Sequence, residues 1–102
     1  MSARRRTYVL APEARHDLAD ILVYSERLCG RRQRGIYRAA LRRGFETVRD
    51  NPGIGIAEDE IEPGMRAHSV EHHVPYDRLN DNIVEIARIL HERMDPDRHR
   101  FR

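Results

Sequence analysis

The chain has 102 residues and one cysteine, Cys29, which makes it a single domain with no intrachain disulfide, and no apolar run approaches the roughly 20 residues that a membrane-spanning helix needs. The net charge of +2 hides a separation along the chain: residues 1–49 carry twelve Arg against five acids, a balance of +7, and residues 50–102 carry seven Arg against twelve acids, a balance of −5. The basic start MSARRRTYVL lacks the apolar stretch and cleavage site of a signal peptide, so a reducing cytoplasm is expected.

TYVLA reads as a short strand with Tyr8 and Leu10 on one face and Val9 on the other. Pro12 suits the first turn of a helix, and Glu13 sits near the positive end of its dipole. Ala14, Leu18, Ile21, Tyr24 and Leu28 then recur at spacings of four, three, three and four, which predicts one helix ending at Gly30. A second helix is expected from about Arg31 to Asp50. Its stripe is Tyr37, Leu41, Phe45 and Val48, widened by Ile36 and Ala40, and the Asn51-Pro52-Gly53 run stops it. Gly35 and Gly44 each weaken that helix by up to about 1 kcal/mol unless the missing side chain permits close packing. With almost nothing between them but Gly30, the two helices should form an antiparallel hairpin.

GIGIAEDEIEPG shows little periodicity and reads as a loop, after which the period changes to two. Met65–Val70, His73–Leu79 and Ile83–Leu90 are strand candidates, separated by the tight breaks Glu71-His72 and Asn80-Asp81-Asn82. The third is the most apolar and is expected to lie centrally. Pro75 cannot donate a ladder hydrogen bond, so its strand should be at an edge or bulged there. These elements predict an α+β fold in which an N-terminal strand, an antiparallel helical hairpin and a three-stranded antiparallel meander form one domain, 1–102. The helices pack on one sheet face, and residues 1–6 and 96–102 are expected to be flexible.

Several short stretches, in this order and spacing, resemble the ParE branch of the ParE/RelE toxin superfamily. They are Ala11-Pro12-Glu13-Ala14 at the helix start, Asn51-Pro52 with Gly55, Pro63-Gly64 with Arg66, and the closing Arg88-Ile89-Leu90-His91 with Arg93-Met94-Asp95. The resemblance covers about Tyr8 to His99. It implies a RelE/ParE-like fold and a small growth-inhibiting toxin of a type II toxin–antitoxin system, of the kind associated with plasmid stabilisation. It also implies neutralisation by a ParD-like antitoxin in a hetero-oligomer, and a non-enzymatic action on DNA gyrase. The related RelE branch consists of ribosome-dependent mRNA endonucleases, which stands as the alternative. Where the family commonly shows HVIFYR this chain has HVPYDR, with Pro75 in place of an aliphatic residue and Asp77 in place of a tyrosine. That departure leaves open an attenuated or inactive member that only binds antitoxin.

An RNase of the RelE kind needs a base, an acid and cations for developing charge. Arg66, Arg78, Arg88, His91 and Tyr76 have the chemistry. Whether they meet depends on strand register. If Leu79 pairs with Ile83, Arg78 and Arg88 share a face; if Asn80 pairs with Ile83, Arg78 lies opposite Glu85 as half of an ion pair. His72 and His73 are adjacent and so point to opposite faces of a strand, Cys29 has no neighbouring base, and nothing resembles a P-loop or zinc motif, so neither metal nor cofactor is expected. Residues 31–49 carry seven Arg and one Glu, a surface suited to nucleic acid, an acidic antitoxin face, gyrase with its DNA, or plain solvent. No helix-turn-helix appears, so sequence-specific DNA binding is not expected. Leu18, Ile21, Arg34, Arg38, Arg42 and Phe45 are the expected antitoxin contacts, and His91, Arg93, Met94 and Arg98 the expected target contacts.

Overall fold

A computed structural model describes residues 5–99 and 101. Strand β1 (Thr7–Leu10) leads into the helical segment α1 (Pro12–Asp50), followed by β2 (Ile56–Ala57), β3 (Arg66–Ala67), β4 (His73–Asn80) and β5 (Ile83–His91). The strands form one sheet in the order β1-β5-β4-β3-β2, antiparallel except for the parallel pair β1 and β5. The chain is thus α+β, as its sequence predicts, and no described helix is long and apolar enough to cross a membrane.

Within α1 the backbone leaves helical geometry at Gly30 alone, where φ is 86° and ψ is 174°, a region that side chains rarely adopt. A straight helix of 39 residues would run about 58 Å, longer than the molecule's 47 Å greatest extent. Instead Ala14, near the start of α1, shares a core cluster with Leu41, Phe45 and Val48, near its end. The chain therefore doubles back at Gly30, and α1 is the expected hairpin, its two arms being residues 12–29 and 31–50.

The hairpin covers one sheet face, where Val84, Ile86 and Ile89 of β5 meet those four α1 residues. The other face holds Met65, Ala67, Tyr76, Ala87 and Leu90, covered by Ile61 of the β2–β3 loop and by Phe101. Between Tyr76↔Arg88 and Asp77↔Ile86 the register takes two steps on β5 for one on β4, a bulge at Ala87. Its extra residue resets the alternation, so Ile86 and Ile89 both face the helices although three positions separate them. The remainder of the hairpin pairs Asn80 with Ile83 and Arg78 with Glu85, the second of the two registers open to the sequence. β5 lies inside the sheet, flanked on both sides, although β4 is the middle strand.

Two expectations change. The strand expected over Met65–Val70 contracts to Arg66–Ala67. His68 N still donates to Pro75 O at 3.2 Å, but Pro75 has no N–H to return, so the ladder lapses there and resumes only at the Val70–His73 bridge. The supposed loop after Gly53 contains β2, an edge strand paired to β3. The described end residues make contacts with the body of the fold. Arg6 Nη1 donates to the carbonyls of Arg49 (2.7 Å) and Asp50 (3.3 Å), satisfying the open C-terminus of α1. Pro96–Arg98 forms a 3-10 turn, and Phe101 is only 8% exposed against the ring of Tyr76. Residues 1–4, 100 and 102, also expected to be flexible, lie outside the described residues.

Candidate functional site

Between Leu22 and Leu41 α1 has no buried residue, so the turn end of the hairpin stands clear of the core. Tyr24 and Leu28, one helical turn apart on the first arm, are 65% and 64% exposed. They form one wall of a groove of about 290 Å³ that continues along Ile21, Cys29 and Tyr37 to the ends of β4 and β5, where Glu71, His72, His73 and His91 close it. One side of this groove is apolar; its floor is polar.

That floor is a connected set. The Tyr37 hydroxyl accepts from the His72 backbone N–H at 3.3 Å and hydrogen-bonds His73 Nδ1. The hydroxyl can donate or accept in the second bond, the role being set by the tautomer of His73. The His73 ring meets that of His91 edge-on, with centroids 5.2 Å apart, and the Arg93 N–H donates to His91 Nδ1 at 3.1 Å, so that nitrogen carries no proton. Burial, and then the neighbouring His91 and His72, push the His73 pKa below the usual imidazole value against a smaller opposing pull from Glu92. Burial also raises the Tyr37 hydroxyl's pKa. His72, in the turn before β4, reaches Glu92 at 3.1 Å.

The RNase candidates are not brought together. Arg66 sits on the helix side of β3 opposite Asp77, its Nε buried without a hydrogen-bond partner. Arg78 is spent on the other face, donating to Glu85 at 2.7 Å, Glu62 at 2.6 Å and the Phe101 carbonyl at 3.1 Å. Tyr76 is buried under Phe101. Beyond Leu10 the β5 edge has no strand beside it among the described residues, and there Arg88 holds Asp17 through bonds of 2.7 and 2.9 Å, while Asp17 also accepts the Ile89 N–H at 2.9 Å. Of the five, only His91 lines the groove.

Among the expected antitoxin contacts, Phe45 is corrected: at 3% exposure it belongs to the core, because the stripe that made it conspicuous is the stripe that packs on the sheet. Leu18 and Ile21 lie at the core's margin. Arg34 is paired with Glu26 at 2.9 Å, and Arg38 and Arg42 are exposed. Arg93, Met94 and Arg98 are all exposed. Sequence reasoning did not single out Tyr24, Leu28, Tyr37 and His73 as groove residues. The first three read as buried stripe, and His73 becomes significant only through a contact 36 residues away in sequence.

The family model described as "ParE toxin of type II toxin-antitoxin system, parDE" matches residues 8–96. The chain is 35% identical over 100 residues to Toxin ParE1 of Mycobacterium tuberculosis, an alignment covering 97% of this chain and 99% of that protein. It is 33% identical over 94 residues to Toxin ParE1 of Caulobacter vibrioides, covering 92% and 97%. Among solved structures it is similar to a chain of the chromosomal ParDE TA system from P. aeruginosa, with a TM-score of 0.73 and 17% identity over 85% of this chain and 96% of that one, a likeness of fold.

Proposed function

Because this chain belongs to the ParE toxin family of type II toxin–antitoxin systems, we propose that it arrests growth by binding DNA gyrase in the cytoplasm, without enzymatic chemistry of its own. We further propose that an antitoxin neutralises it by seating an apolar segment in the groove of Tyr24, Leu28 and Tyr37. The groove is the observation that carries this reading. It places large exposed apolar side chains beside a small polar set, a composition suited to a protein interface. The dispersal of Arg66, Arg78, Arg88, Tyr76 and His91 supports binding over RNA cleavage. His91, Arg93, Met94 and Arg98, at the end of β5 and beyond, are the proposed target contacts.

One experiment tests both halves. Purified chain added to gyrase and relaxed plasmid should block supercoiling or trap cleaved DNA, and antitoxin added in excess should restore activity. With the variant Tyr24→Asp/Leu28→Asp the block should persist and the rescue should fail, since losing two central apolar anchors costs on the order of 4 kcal/mol of antitoxin binding, about a thousandfold. Untouched gyrase, together with codon-periodic mRNA cuts in a parallel translation reaction, would overturn the reading in favour of an endonuclease.

A further inference from the structure

We propose that Arg31, Arg38, Arg42 and Arg49, a row on the second arm of α1, bind the phosphate backbone of duplex DNA without reading its sequence. Their spacings of seven, four and seven keep them within about 40° of one another around the helix, and the row is about 27 Å long. Arg31, Arg38 and Arg42 are exposed and, among the described residues, hold no ion pair; Arg49 contacts its neighbour Asp50 at 2.9 Å. Arg6 extends the row, its guanidinium resting on the Arg49 carbonyl, and with Arg5 it flanks a depression at this end of the arm.

The chemistry of the row selects the partner. A protein interface is built around an exposed apolar centre, and this strip of helix offers none: beside its arginines lie Arg34, Gly35, Ala39 and Glu46, and Phe45 is buried in the core. Tyr24 and Leu28 are on the first arm, in the groove, and the exposed Ile36 of the second arm lies about 140° around the helix from the row. A long row of guanidiniums instead fits a partner with dense, regular negative charge, and duplex DNA carries one per roughly 1.7 Å of axis. Guanidinium also matches phosphate oxygens two at a time. One acidic patch lies away from the row, since Glu60, Glu62 and Asp97 line a depression beside Phe101, on the sheet face opposite the hairpin. That patch favours approach to a polyanion by the second arm, where seven Arg stand against Glu46 and Asp50. This inference goes beyond the gyrase reading and does not need it, because the DNA alone is the ligand.

The test is fluorescence anisotropy of the full chain with a labelled 30-base-pair duplex of arbitrary sequence, from 25 to 200 mM salt. Two charge-matched variants accompany it: Arg31→Gln/Arg38→Gln/Arg42→Gln in the row, and Arg15→Gln/Arg32→Gln/Arg43→Gln off it, with melting curves showing that both fold. The parent should bind with a slope of log K against log salt of about −3.6, and the row variant should fall at least tenfold at 50 mM salt with its slope reduced to about −0.9. The off-row variant should stay close to the parent. Absence of binding at 25 mM salt, or equal losses in both variants, would overturn the proposal. So would tight binding of a Glu-rich peptide that the row substitutions abolish while DNA binding is unchanged, which would assign the row to an acidic protein.

Discussion

Asp77 is the least comfortable residue in the molecule. It is 1% exposed and neither carboxylate oxygen has a hydrogen-bond partner among the described residues. Burial pushes its pKa from 3.8 up to about 6, against a smaller downward pull from Arg66 on the facing strand. A carboxyl whose pKa is raised on folding holds its proton in the native state where the unfolded state has lost it. Its contribution is therefore intact below pH 3.8 and is lost as pH rises to about 6. At one pKa unit per 1.36 kcal/mol the loss approaches about 3 kcal/mol by neutral pH. Asp77→Asn should thus match the parent near pH 4 and exceed it by about 1 to 3 kcal/mol at pH 7. Denaturant unfolding at pH 4, 5, 6 and 7 measures the difference, and a constant offset across that range would show that the carboxyl is not the cause. The sequence marks Asp77 as unusual within its strand; it does not reveal that the side chain turns inward, because that depends on which face of β4 the helices cover. The sites of Arg78 and Arg88 were equally undecidable, resting on a register that shifts at Ala87.

At the scale of elements, the two arms of α1 were legible from period and punctuation, and Gly30 lies where a reversal needs it. What periodicity could not report is how far the opposing layer extends. Tyr24 and Leu28 continue the stripe of Ala14, Leu18 and Ile21, yet face a groove instead of a core. The two other helical glycines separate into distinct roles. A Cβ on Gly35 would meet nothing, whereas one on Gly44 would collide with the Cγ2 of Val70, a short branched side chain with little room to retreat. Gly35→Ala should therefore stabilise by about 0.5 to 1 kcal/mol through helix propensity. Gly44→Ala should destabilise by about 1 to 3 kcal/mol, overpacking outweighing the same propensity gain. Parallel urea titrations give the two signs directly, and a stabilised Gly44→Ala protein would mean that Val70 yields easily. The short β3 was less readable, because Met65–Val70 has the composition of a strand and is curtailed by Pro75 on its neighbour.

For the whole molecule, the segment after β5 closes the sheet face that the hairpin leaves open. Phe101 packs edge-on against Tyr76 with ring centroids 5.1 Å apart, and its carbonyl receives Arg78. Nothing near Phe101 in the sequence signals this, since a lone aromatic between two arginines reads as tail. Phe101→Ala should cost about 2 to 4 kcal/mol, lowering the melting temperature by on the order of 10 to 20 °C, whereas Phe101→Leu should keep most of that. An unchanged melting temperature in Phe101→Ala would show that the segment contributes no stability. The parallel pairing of β1 with β5 has a different consequence, one of timing. Leu10 finds its partner Ile86 only after 76 further residues have been made, roughly 4 to 15 s of synthesis. Until then both helical arms exist without the strand that their apolar faces need. The newborn polypeptide passes through an interval in which it is already amphipathic but not yet a finished fold, and its apolar faces remain open to a chaperone during that interval.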